Sequence, residues 1–147
     1  MLVKIRMKIG LRNGVRFKFD NNIIEVGMIA LTCHCKNISI TVKKSPETVT
    51  QCNCSICSRY DALWGYYPPN QVAVVFDKQQ STTYRWGDGC IDFHHCPSCG
   101  CITHYTTTEK VEHKKTAVNF RLMNESERQF IPVRKFDGKK NWEYIDD

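Results

Sequence analysis

The sequence predicts a mainly β single domain, on three observations. The chain has 147 residues, 41% hydrophobic and 24% charged, which suits one globular core rather than a disordered chain. Most readable segments alternate apolar and polar residues or are rich in β-branched and aromatic side chains, the pattern of half-buried strands. Turn signals recur between them at Pro68-Pro69, Gly87-Asp88-Gly89 and Asp137-Gly138.

The elements follow in order. Val15–Phe19 and Ile23–Val26 flank Asp20-Asn21-Asn22 and read as a hairpin. Ile38–Val42 alternates as Ile-Ser-Ile-Thr-Val. Further strands are expected at Val72–Phe76, Thr82–Trp86, Ile91–His94, Ile102–Thr106, Ala117–Phe120 and Ile131–Phe136. Helix is expected only as a short turn near Cys54–Arg59 and over Met123–Arg128. Many short strands with few helices point to an all-β domain.

Charge divides the chain unevenly. Residues 1–27 carry Lys4, Arg6, Lys8, Arg12, Arg16 and Lys18 against Asp20 and Glu25, contributing +4 of the net +6. They read as a basic N-terminal extension, and residues 28–147 as the domain proper, with Met28 a candidate translation start. A basic arm can attract phosphate. No arginine-rich helix or interleaved aromatic platform accompanies it, which argues against nucleic acid as a partner. No apolar run approaches the roughly 18–20 residues of a membrane span, and no secretory signal follows the N-terminus. The expected location is therefore the cytoplasm, where thiols stay reduced.

In that compartment nine cysteines read as metal ligands or catalytic groups before disulfides. Three clusters hold most of them: Cys33-His34-Cys35, Cys52-Asn53-Cys54-Ser55-Ile56-Cys57 and Cys96-Pro97-Ser98-Cys99-Gly100-Cys101. Cys96-Pro-Ser-Cys99-Gly is a zinc-knuckle pattern, with two thiolates on a tight turn that the glycine permits. A redox reading of this CxxC wants a βαβ context that is absent. Cys33 and Cys35, two apart at a strand start, face the same side. These two pairs together supply the four thiolates of a closed, structural zinc.

Cys52, Cys54 and Cys57 supply three more. Three protein ligands with a vacant fourth position is the arrangement of catalytic zinc. The alternative is a fourth protein ligand, such as Cys90, Cys101 or a histidine, that closes this site too. In a strand His94 and His95 point to opposite faces, so at most one of them suits a given metal. Cys90 and Cys101 are most simply small buried hydrophobes. Arg59 is a candidate contact for a substrate carboxylate. Trp64, Tyr66 and Tyr67 are candidates for a pocket wall or for the core.

The order CxC, CxCxxC, CPxCG resembles the glutathione-dependent formaldehyde-activating enzymes, a family that also includes centromere protein V. The resemblance runs from about Met28 to the C-terminus. Val118-Asn119-Phe120-Arg121-Leu122 and Val133–Gly138, with its Phe-Asp-Gly, are similar to the closing strands of that family. The resemblance implies a β-tent-like domain of small antiparallel sheets stapled by two zinc ions. It assigns Cys33, Cys35, Cys96 and Cys99 to a structural zinc, and Cys52, Cys54 and Cys57 to a catalytic one. The implied activity is that of a carbon–sulfur lyase, interconverting glutathione plus formaldehyde with S-hydroxymethylglutathione. Its partners are a small-molecule thiol such as glutathione and an aldehyde. The chain departs from the family pattern at Lys36 in place of Gly, Asn53 in place of His and His95 in place of an aromatic residue. The alternative function is a non-catalytic two-zinc module, structural or binding protein or nucleic acid.

Overall fold

A computed structural model describes residues 27–145. The expected hairpin at Val15–Phe19 and Ile23–Val26 lies outside the described residues. Within them the chain is mainly β, as expected. The strands are β1 (Ile29–Thr32), β2 (Ile38–Val42), β3 (Val49–Cys52), β4 (Trp64–Tyr67), β5 (Val72–Phe76), β6 (Thr82–Arg85), β7 (Ile91–His95), β8 (Ile102–Thr107), β9 (Thr116–Asn119) and β10 (Val133–Phe136). The helices α1 (Cys57–Tyr60) and α2 (Glu125–Arg128) have four residues each. None of the described helices is long and apolar enough to cross a membrane.

Two sheets form. One has three strands in the order β1-β2-β5, all antiparallel. The other has seven, in the order β10-β3-β4-β9-β8-β7-β6. The second sheet is larger than expected, and β10 joins β3 in parallel. Parallel neighbours need a long crossover, and here most of the domain separates the two strands.

Alternation explains the packing. Ile38, Ile40 and Val42 on β2 are fully buried, as are Ile29 and Leu31 on β1. They meet Val49, Leu63, Tyr67, Val118 and Phe120 of the larger sheet and its connections in one core. A second core gathers Trp64, Phe93, Ile102, Tyr105 and Ala117 with Cys52 and Cys57. Adjacent residues of one strand serve both, because successive side chains point to opposite faces: Ala117 enters the second core and Val118 the first. Gly65 lets the sheet close on the first core, since a Cβ there would lie 2.5 Å from the Phe120 ring.

The expected strands at Ile38–Val42 and Val72–Phe76 are found with the same bounds. The expected strand Ala117–Phe120 ends one residue early. Phe120 instead begins a 3-10 turn, capped by the Asn119 side chain accepting from the Arg121 N–H.

Candidate metal centres

Cys33, Cys35, Cys96 and Cys99 converge, with all four Sγ atoms within 4.8 Å of one another. Cys33 and Cys35 follow β1 and precede β2; Cys96 and Cys99 lie on the turn between β7 and β8. The Cys33–Cys35 and Cys35–Cys96 sulfur separations are 3.7 Å and 3.5 Å. Four sulfurs at about 2.3 Å from a tetrahedral ion stand about 3.8 Å apart, so the set fits a four-thiolate metal site. All nine cysteines are free of disulfides.

Both halves of this cluster begin on a cysteine whose N–H donates five residues ahead, Cys33 to Ile38 O and Cys96 to Cys101 O, and each closes on a tight turn. The Lys36 N–H donates to Cys33 O, and the Gly100 N–H to Cys96 O. Each turn then needs a left-handed residue: Gly100 at φ 74° and Lys36 at φ 66°. Glycine adopts that conformation without steric cost, whereas lysine does not. Asn37, 5% exposed, ties the cluster to the loop after β5. Its Oδ1 accepts from the N–H groups of Lys78 and Gln79, and its amide donates to Gln79 O at 2.8 Å and to Cys96 Sγ at 3.8 Å.

Cys52, Cys54 and Cys57 form the second group, again with Sγ atoms within 4.8 Å of one another. Cys52 ends β3, Cys54 lies in the following turn and Cys57 opens α1. The Cys54 N–H donates to Cys52 Sγ at 3.4 Å, and the Trp64 indole N–H to Cys57 Sγ at 3.3 Å. Gly138 packs directly on this group: a Cβ there would lie 2.5 Å from Cys52 Sγ and 3.2 Å from Cys54 Cβ. Asn53 ties the C-terminal segment to the same turn. It donates to Asp137 Oδ1 at 2.8 Å, accepts from the Lys139 N–H at 2.9 Å, and its own N–H donates to Phe136 O. The Asn53 amide is the leading cause that holds the Asp137 carboxyl below the usual range.

Each group mixes thiols that ionise readily with thiols that resist: Cys96 and Cys99 against Cys33 and Cys35 in the first, Cys52 against Cys57 in the second. Hydrogen bonding from Cys57, opposed by burial and aided by the N–H groups of Cys54 and Gly138, brings Cys52 down to about 6. The same interaction with Cys52, together with burial, drives Cys57 up. Burial works against ionisation of Cys99, but the N–H groups of Cys101 and Cys35 outweigh it and bring that thiol down to about 6. The Asn37 N–H favours the Cys35 thiolate, yet burial and the crowd of neighbouring sulfurs push it up to about 12. A cation relieves this crowding by replacing the shared protons.

The two groups differ in access. A cavity of about 260 Å³ opens beside the three-cysteine group, lined by Cys52 and Cys57 with Gln51, Asn53, Ser58, Asp61, Lys135, Phe136 and Ile145. Among the described residues no fourth cysteine, histidine or carboxylate joins the three sulfurs. Cys101 lies beside Cys99 instead. Cys90 neighbours Asp88 and Lys110. Cys101 is partly buried and packs against the first core, close to the buried hydrophobe expected, whereas Cys90 is partly buried and belongs to neither core. His94 stacks on His104 with ring centroids 4.2 Å apart and bonds to Ser81 and Thr106. His95 Nε2 pairs with the Tyr60 hydroxyl at 2.9 Å.

Of the aromatic candidates, none lines the cavity. Trp64 is buried against Cys57, and Tyr67 is in the first core, stacked on Phe120. Tyr66 is half-exposed. Arg59 is exposed, donating to Ser55 O at 2.6 Å. Trp64, expected in a pocket wall or the core, reaches Cys57 from the core, while Asn37 and Gly138 are site residues that spacing does not reveal. Only the Phe-Asp-Gly turn signal pointed near one of them.

A family model described as glutathione-dependent formaldehyde-activating enzyme matches residues 28–137. No curated protein matches the chain. Among solved structures, the crystal structure of a Rhodobacter sphaeroides protein, a structural genomics target, is similar with a TM-score of 0.59 and 24% identity. The likeness covers 71% of this chain and 99% of that one, and shows the fold. The family match spans most of the chain, which therefore belongs to the glutathione-dependent formaldehyde-activating enzyme family.

Proposed function

We propose that this member of the glutathione-dependent formaldehyde-activating enzyme family is a zinc-dependent carbon–sulfur lyase acting on a thiol–aldehyde adduct, of the S-hydroxymethylglutathione synthase type. The observation that carries the reading is the cavity beside Cys52 and Cys57, next to a three-thiol set with no fourth partner among the described residues. In this reading Cys33, Cys35, Cys96 and Cys99 hold a structural zinc, and Cys52, Cys54 and Cys57 hold a second with its fourth position open.

Zinc at the second site would supply positive charge that favours the thiolate form of an incoming thiol. The chain's own residues do the rest. The cavity brings thiol and aldehyde together, replacing a bimolecular encounter with a local one. The thiolate sulfur then forms a bond to the carbonyl carbon, the carbonyl π pair moves to oxygen, and that oxygen takes a proton. The reverse reaction breaks the carbon–sulfur bond. Gln51 and Ser58 present an amide and a hydroxyl to the peptide groups of a thiol such as glutathione. Arg59 lies between two lining residues, Ser58 and Asp61, and would exchange its bond to Ser55 O for a charge-assisted pair with a substrate carboxylate. Asn53 is committed to Asp137 and Lys139, so its part is to hold the turn in shape. The free thiols and the proposed thiol substrate both suit a reducing cytoplasm.

The test compares zinc content and glutathione affinity in the wild type and in Cys54→Ser. The expected result is loss of one zinc ion per chain and loss of glutathione binding. A variant that keeps two zinc ions and the same affinity would sink the proposal.

A further inference from the structure

The three-cysteine group includes a residue whose position is set by a very short element. Cys57 opens α1, four residues long with no side-chain hydrogen bond at its N-cap. A helix of that length has no stability of its own, so tertiary contacts must place it. Two polar contacts do so. One is the Trp64 indole N–H to Cys57 Sγ. The other comes from Tyr60, three residues on and therefore on the same helical face. Its hydroxyl bonds to His95 Nε2 at 2.9 Å, and its ring packs on His95 and Phe93 with centroids 5.3 Å and 5.5 Å away.

His95 is the last residue of β7 and the neighbour of Cys96 in the four-cysteine group. The β7–β8 register shifts between His94 and His95, and such a bulge re-aims the side chain that follows. Beyond it the turn is internally bonded, Cys96 N–H to Cys101 O at 2.9 Å and Gly100 N–H to Cys96 O at 2.8 Å. A short chain of contacts thus runs from Cys96 through His95 and Tyr60 to Cys57, joining two groups that otherwise sit in separate cores.

We propose that Tyr60 and His95 are positioning residues that couple the two cysteine groups, so that metal at Cys33, Cys35, Cys96 and Cys99 raises the affinity of Cys52, Cys54 and Cys57 for theirs. This rests on the reading that both groups hold metal. An ion at the first group fixes Cys96 and with it the His95 ring. The ring holds the Tyr60 hydroxyl, and α1 then presents Cys57 at the spacing its two partner sulfurs need. The coupling is reciprocal, because it is a property of the binding equilibria.

The experiment titrates the metal-free full-length chain with Co²⁺, following thiolate-to-cobalt charge-transfer and d–d absorption. It uses the wild type, Tyr60→Phe, His95→Phe and the double variant. Both phenylalanines keep the ring contact and remove the hydrogen bond. The wild type is expected to take up two cobalt ions. Each single variant should weaken the second by about three- to ten-fold, the worth of one hydrogen bond, and the double variant should be no worse than either. By reciprocity, chelator competition from the fully loaded state should find cobalt at the first group weaker in Cys54→Ser than in the wild type by the same factor, a check that does not depend on the ring variants. Wild-type affinity at the second site in Tyr60→Phe, or additive losses in the double variant, overturns the coupling. A wild-type chain that takes up one cobalt ion overturns the two-metal reading and the coupling with it.

Discussion

The four-cysteine group joins segments far apart in the chain, Cys35 to Cys96 across 61 residues, whereas the three-cysteine group draws all its sulfurs from residues 52–57. The first lies between the two sheets' connections and is fed by backbone N–H groups and Asn37. The second lies at the end of one strand and opens onto a cavity. Cross-linking distant segments removes far more unfolded-chain freedom than clipping a six-residue loop. The same side chain therefore serves two ends. In the proposed reading, a metal at the first group would stabilise the fold, and a metal at the second would contribute less stability while keeping a face available for chemistry.

The sharpest way to break this contrast is to remove one thiol from each group. In zinc-loaded protein, Cys96→Ser should cost about 4 kcal/mol or more of unfolding free energy, in the range of losing a structural metal. Cys54→Ser should cost no more than about 1 kcal/mol, since the loop it closes is short. Denaturant unfolding measures both, and equal losses would remove the distinction.

Gly138→Ala probes the second group from outside it. The added methyl would crowd Cys52 Sγ at 2.5 Å, an overpacking cost of about 1–3 kcal/mol. Zinc retained after dialysis should fall from two ions to one per chain. Retention of both would mean that the C-terminal turn yields without disturbing the thiols.

The smallest expected effect lies in the first group. Lys36 holds a left-handed φ of 66°, and Lys36→Gly should stabilise the folded chain by about 0.5–1 kcal/mol, the strain relieved less the entropy glycine adds to the unfolded state. A loss of stability in the same unfolding assay would place the strain elsewhere.

Much of this was legible in the residues. The two groups of sulfurs that converge are those expected from the CxC, CxCxxC and CPxCG spacings. The strands with clear alternation, Ile38–Val42 and Val72–Phe76, carry the expected bounds. Three strands were not read. Ile29–Thr32 and Val49–Cys52 are only four residues long, and Trp64–Tyr67 contains a glycine that local preference counts against a strand. Gly65 is required there by Phe120, which lies 55 residues further along the chain.

The sequence by itself determined the fold class and the three cysteine clusters, because alternation and thiol spacing are local and act over a few residues; joining Cys33 and Cys35 with Cys96 and Cys99 across 61 residues was expected from the need for four thiolates and from the resemblance to the family. Tertiary structure alone decided that Cys52 and Cys57 border a cavity, that Gly138 abuts Cys52, and that Tyr60 meets His95. Those contacts join residues tens of positions apart, and they exist only once strand register and the parallel pairing of β3 with β10 have brought the segments together.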